Sequence, residues 1–266
     1  AGGGLSIADL FAAGIVPALL MTLVLMITGY VVARRRGYGV EAFPGWRAVL
    51  LRLVAALPGL GLVGLIFFGI RAGIFTAVES AAIAVVYALL VTTVLYLQLR
   101  IKEFFETVIH AARSTGVILF VIATAAVFGW LLAYLQVPAA AVDFLQSFAH
   151  SKYMVLLMIV VMLLLLGTFM DLAPMILICT PIFLPVAKAY GIDPIHFGLV
   201  RVLAGGLGLV TPPVGSVLFI GTAIGKISVG ESMKTIWPFW MAGLLVLLIV
   251  TFFPELSLWL PALLRS

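Results

Sequence analysis

The chain has 266 residues, of which 65% are hydrophobic and only 9% charged, with a mean hydropathy of +1.32 and a formal charge of +5. Soluble domains are near half apolar and a quarter charged. So little charge cannot coat a soluble domain of this size, which excludes a soluble enzyme and a disordered chain, and the absence of a basic cluster on a polar domain excludes a nucleic-acid binder. What remains is an all-α polytopic membrane protein. The single cysteine, Cys179, lies in an apolar run, so no disulfide framework exists and no compartment follows from it. The start, Ala-Gly-Gly-Gly without Met or signal peptide, reads as a processed or truncated piece of something longer.

Spanning a bilayer takes roughly 20 apolar residues at 1.5 Å each. Phe11 to Ala33 qualifies and ends at Arg34, Arg35 and Arg36. Leu53 to Ile70 is a shorter span carrying Pro58. Ala77 to Leu99 follows, opened by Thr76-Ala-Val-Glu79, the spacing of a capping box. Lys102 to Thr115 carries Phe104, Phe105, Val108, Ile109 and Ala112 on one face, an amphipathic interfacial segment leading into a span from Val117 to Leu135. The last long run, Trp237 to Leu264, is broken by Pro254. These boundaries divide the chain into a first transmembrane helix with a basic cytoplasmic loop (1–52) and scaffold-type helices (53–150). A transport-type region (151–226) and a C-terminal transmembrane helix (227–266) complete it.

Between Tyr153 and Ile224 lie four runs that are each too short to span alone: Tyr153 to Leu166, Pro174 to Ala187, Phe197 to Val210, which contains Arg201, and Val214 to Ile224. Charge orients the chain. With 153–187 entering and leaving on one side, ten of the fifteen Lys and Arg residues collect on the side that holds Arg34–Arg36, Arg47 and Arg52. That side is cytoplasmic by the positive-inside rule. A continuous crossing at 153–187 would give a similar asymmetry, so the hairpin rests on the half-length runs and their interruptions.

The first interruption is Gly167-Thr168-Phe-Met-Asp171-Leu-Ala-Pro174, the second Thr211-Pro212-Pro213-Val214-Gly215. Broken helices in a membrane expose backbone N–H and C=O groups, which must be buried in protein or line a polar cavity. Secondary transporters use such breaks: half-helix N-termini face anions, while carbonyls and hydroxyls coordinate Na⁺. Asp171 is either a site carboxylate, as intramembrane charge suggests, or simply the cap of the next helix. The two prolines remove N–H donors and free carbonyls around Gly208 and Leu209; the bland alternative is a kink in an ordinary span. Hard cations take oxygen ligands, which both breaks supply. Arg201 is the more interesting of two arginines near run ends, although snorkelling would account for it. His110, His150 and His196 match no metal spacing, and no phosphate-binding or hydrolase motif occurs. Gly69…Gly73 and Gly221…Gly225 match a small-residue helix-contact spacing that chance also produces in a glycine-rich chain.

Gly14-Ile-Val-Pro17-Ala, Ala33-Arg-Arg-Arg-Gly-Tyr, Gly73-Ile-Phe-Thr76-Ala-Val-Glu79 and Gly167-Thr-Phe-Met-Asp171 occur in that order. Thr180-Pro-Ile-Phe-Leu-Pro185, Gly191-Ile-Asp-Pro-Ile-His-Phe-Gly198, Thr211-Pro-Pro-Val-Gly215 and Phe253-Pro-Glu-Leu-Ser-Leu-Trp-Leu-Pro261 follow. Nearly end to end, this series resembles the large membrane subunit of TRAP (tripartite ATP-independent periplasmic) transporters. The resemblance implies the second inverted repeat of an elevator-type, Na⁺-driven importer of small organic anions, with a re-entrant hairpin at 153–187 and an unwound helix at 197–224. It places a Na⁺ site at Gly167, Thr168, Gly208, Thr211, Val214 and Gly215, with Asp171, Arg201, Pro212 and Pro213 as substrate-site candidates. It implies no cofactor beyond Na⁺ as coupling ion and a bacterial or archaeal cytoplasmic membrane. The partners it implies are a small membrane subunit, a periplasmic substrate-binding protein and the N-terminal repeat, which has no counterpart in this chain. Departures stand at Ala77, Val78, Leu172 and Ala204, where family members carry Pro or Asn. The competing readings are a Na⁺/carboxylate symporter that needs no soluble partner and a non-transporting membrane scaffold.

Overall fold

The computed structural model describes residues 7–39, 43–97, 99–137, 139, 140, 143, 151–212 and 215–265. Its elements are α1 (Ile7–Arg35), α2 (Trp46–Arg71), α3 (Ala77–Leu90), which runs on into a π-helical turn at Val91–Leu95, and α4 (Ile101–Tyr134). Then come α5 (Lys152–Gly167), α6 (Leu172–Ala189), α7 (Pro194–Gly208), α8 (Ser216–Gly225), α9 (Val229–Phe252) and α10 (Glu255–Arg265). Among the described residues, six stretches are long and apolar enough to cross a membrane: α1, Trp46–Ile70, Val78–Leu95, Ile101–Leu132, α6 and α9. The protein is thus a multi-pass helical membrane protein.

Local chemistry explains where the helices begin. The Thr76 hydroxyl accepts from the Glu79 N–H at 3.3 Å while Glu79 Oε2 accepts from the Thr76 N–H at 2.7 Å, the reciprocal box that starts α3. Ser228 and Glu231 build a second such box at α9. Ser151 caps α5, and Asp193 caps α7 by accepting from Ile195 and His196, with Pro194 in the first helical position.

Three boundaries differ from the sequence expectation. Helix α2 starts at Trp46 rather than Leu53, so Arg47 and Arg52 sit in its first turns instead of a loop; long arginine stems lie along an apolar helix with their charge outside. The segment at 102–115 and the span after it are one 34-residue helix, α4, because Ser-Thr-Gly at 114–116 changes the polarity without removing a hydrogen bond. Helix α6 reaches 18 residues, enough to be a candidate crossing, because it gains residues beyond both ends of its apolar run. Among the described residues the glycine pairs meet no other helix: Gly221 and Gly73 have nothing within 4 Å of a would-be Cβ, and Gly69 is approached by Phe75 of the same segment.

Two compact units divide the chain, one of residues 1–5, 12–37 and 117–266, the other of 6–11 and 38–116. In the smaller unit α2 packs on α3, and the Tyr87 hydroxyl donates to the Pro58 carbonyl at 2.9 Å. Its apolar side chains mostly point outward; Val63 is 66% and Phe68 69% exposed, which suits lipid or another apolar surface and not water. In the larger unit α7 is the hub, packing against α5, α6, α9 and α10. Phe197, Val200 and Ala204 of α7 meet Ile159 and Leu163 of α5, Met175 and Val186 of α6, and Val246 and Val250 of α9 in one buried cluster.

Candidate functional site

Helix α5 ends where Thr168 and Phe169 fold back to the carbonyls of Leu165 and Leu166, and the Thr168 hydroxyl donates to Leu165 at 2.7 Å. Four residues later Asp171 starts α6, its carboxylate accepting from the Leu172 N–H at 2.9 Å. At the other break the last turn of α7 tightens, with Val210 bonded to Leu207 and Thr211 to Gly208. The chain resumes as α8 after Gly215, whose φ of 26° lies in the left-handed region that favours glycine.

The two breaks touch. The Gly215 N–H donates to the Thr168 carbonyl at 3.0 Å. A Cβ on Gly208 would lie 2.7 Å from the Gly167 Cα, so the backbones meet with no room for a side chain. A Cβ on Gly215 would lie 2.8 Å from both the Leu209 and the Thr211 carbonyl oxygens. Those oxygens therefore converge beside Gly215, and no N–H among the described residues donates to either. Thr168 is buried. The Thr211 hydroxyl donates to the Leu207 carbonyl at 2.6 Å and accepts from the Trp240 indole N–H at 2.8 Å. No group of three or more His, Cys, Asp or Glu residues suited to a metal ion occurs among the described residues. What this place offers a cation is backbone carbonyls and threonine hydroxyls, a donor set for a hard ion held without formal charge.

Of the residues singled out in sequence, Gly167, Thr168, Gly208, Thr211 and Gly215 come together here, with Pro212 in the same turn. Val214 and Pro213 lie outside the described residues, as does His150. Asp171 is exposed and makes its hydrogen bond as a helix cap. Arg201, midway along α7, donates through Nη1 to the Thr180 hydroxyl of α6, lies 6.0 Å from the Phe197 ring, and keeps a buried Nε without a partner among the described residues. His196 faces Ser257 at 3.2 Å, a contact between α7 and α10. The contacts of Trp240 and Thr180 escaped the sequence reading, which had Thr180 only in a family motif, since each meets its partner across helices with no local signal.

In helix N-termini the breaks differ. Asp171 caps α6, whereas α8 begins with no side-chain cap, so that among the described residues no side chain takes the N–H groups of its first turn.

Residues 1–256 match the family described as tripartite ATP-independent periplasmic transporter, DctM component. The chain is 38% identical over 256 residues to the C4-dicarboxylate TRAP transporter large permease protein DctM of Pseudomonas aeruginosa, covering 96% of this chain and 60% of that protein. It is 34% identical over 253 residues to the 2,3-diketo-L-gulonate TRAP transporter large permease protein YiaN of Escherichia coli, covering 95% and 60%. With the sialic acid TRAP transporter large permease protein SiaM of Vibrio cholerae the identity is 34% over 258 residues, covering 97% and 60%. The chain thus spans about 60% of the length of these curated relatives.

Proposed function

Since the chain belongs to the DctM component family of tripartite ATP-independent periplasmic transporters, a family of transport components and not of enzymes, we propose that it carries one half of a Na⁺-coupled import site for small organic anions. It acts as the C-terminal part of a large permease in the cytoplasmic (inner) membrane. A small membrane subunit and a periplasmic binding protein that delivers a carboxylate are its partners, and an N-terminal repeat completes the site. Helices α5 and α6 form the re-entrant hairpin, α7 and α8 the unwound helix, and the pair moves as the elevator. Na⁺ sits among Gly167, Thr168, Gly208, Thr211, Val214 and Gly215.

The observation that carries this reading is the contact between the two breaks, with the Leu209 and Thr211 carbonyls converging at Gly215. Among the described residues these carbonyls have no donor; in an apolar setting such a group costs several kcal/mol unless something pairs with it, and Na⁺ is such a partner. The uncapped start of α8 supports an anion beside it, because free N–H groups and the helix dipole favour negative charge. C4-dicarboxylate, diketogulonate and sialic acid, named for the relatives, are all organic acids, which supports a carboxylate as cargo.

The test is uptake into liposomes holding the full-length permease with its small subunit and binding protein. The expected result is accumulation of the anion only with an inward Na⁺ gradient. Equal uptake with K⁺ in place of Na⁺ would overturn the coupling, and uptake without the binding protein would overturn the tripartite assembly.

A further inference from the structure

Thr211 lies three residues past the end of α7, its N–H still bonded to the Gly208 carbonyl. Its hydroxyl has both directions assigned. The proton goes to the Leu207 carbonyl at 2.6 Å, and one lone pair takes the Trp240 indole N–H at 2.8 Å. A hydroxyl has one proton and two lone pairs, so a single lone pair remains to be offered. The indole can only donate and has one N–H, so this bond cannot reverse. Trp240 is itself held. It packs against the buried cluster around α7 and stacks on Trp237 with ring centroids 5.2 Å apart and planes 8° from parallel. Thus a residue of α9, 29 positions along the chain, joins the Leu207 carbonyl in fixing which way an oxygen in the second break points.

We infer that Trp240 is a positioning residue of the cation site: its indole N–H holds the Thr211 hydroxyl in the one orientation that turns the free lone pair towards the ion. This rests on the proposed Na⁺ site. A pre-aimed ligand loses less freedom when the ion arrives than one that must be ordered at that moment. Without the indole N–H the hydroxyl keeps only its bond to Leu207 and is held less firmly, and the site fills only at higher Na⁺. The bond also links α9 to the occupancy of the break, because an ion drawing on the same oxygen changes the charge that the indole N–H feels.

The experiment is a double-mutant cycle on the purified full-length permease, read as the Na⁺ concentration that gives half of the maximal thermal stabilisation, with K⁺ as control. Thr211→Val, which keeps the shape and removes the hydroxyl, should raise that concentration about ten-fold, and Trp240→Phe about three- to ten-fold, the range of one lost hydrogen bond. The double variant should match Thr211→Val alone within about two-fold, since the indole acts only through the hydroxyl. Effects that multiply in the double variant, or a Trp240→Phe protein with unchanged half-saturation, overturn the positioning role while leaving the ion site standing. An unchanged half-saturation in Thr211→Val overturns the ion site itself. A second measurement does not depend on altering Trp240. Na⁺ should change the indole emission of the wild-type permease at the same half-saturation, and Thr211→Val should abolish the change. Emission indifferent to Na⁺ in the wild type overturns the inference.

Discussion

Gly167 and Gly208 meet so closely that a Cβ on Gly208 would stand 2.7 Å from the Gly167 Cα. Gly208→Ala should therefore destabilise the protein by about 1–3 kcal/mol, as overpacking of a tight contact does, and weaken Na⁺-dependent stabilisation at the same time. Gly206, with nothing within 4 Å of its would-be Cβ, is the matched control; Gly206→Ala should leave both readings near wild type. Thermal unfolding with and without Na⁺ separates the two variants. Arg201 makes a different case. Its guanidinium is tied to Thr180 by one nitrogen, and Nε is buried without a described partner, so it retains capacity for an anion. Arg201→Met should lower anion uptake at least ten-fold, given what losing a charged hydrogen bond costs, with the Na⁺ titration of thermal stability unchanged. Uptake equal to wild type would remove Arg201 from the substrate site. The breaks were recognisable as residues because Gly, Pro, Thr and Asp fall there in tight clusters within an apolar run. Their partners were not, because Trp240 and Thr180 are ordinary residues of continuous helices.

At the scale of elements, half-length helices need help at their ends. An isolated helix of 15 residues is marginal, and α7 gains from Asp193, which satisfies two N–H groups of its first turn. Asp193→Ala should cost about 1 kcal/mol, and Asp193→Asn, which keeps the acceptor, distinctly less. Unfolding in mixed micelles measures both. The capping box at Thr76 and Glu79 was readable because it is written within four consecutive residues, and the structure forms it. The breaks after Gly167 and Gly208 were readable for the same reason: helix-disrupting residues act locally. The start of α2, the continuity of α4 and the full length of α6 were not. Arginines can lie inside a membrane helix by extending their stems, and a polarity change need not be a break. A capped helix also continues past its apolar window until something stops it.

At the scale of the whole molecule, exposed apolar surface governs behaviour. Spin labels at Val63 and Phe68, side chains that face outward from α2, should collide readily with dissolved oxygen and hardly at all with a water-soluble nickel chelate, whether lipid or another apolar segment covers them. Ready collision with the chelate would place that face in water and contradict a membrane-spanning α2. Composition alone was enough to determine the solvent: with 9% charged residues the only stable surroundings are apolar. Sequence alone also located the two breaks and, by its ordered motifs, the family, since helix disruption and motif order are properties of the chain read in one dimension. Only the tertiary structure decided that the breaks touch, that Gly215 bonds to Thr168, that Arg201 turns to Thr180 and that Trp240 reaches Thr211. The physical reason is that an unpaired backbone group in an apolar interior must find a partner. Sequence reveals that the need exists, and only the packing of α5, α6 and α9 around α7 determines which group meets it.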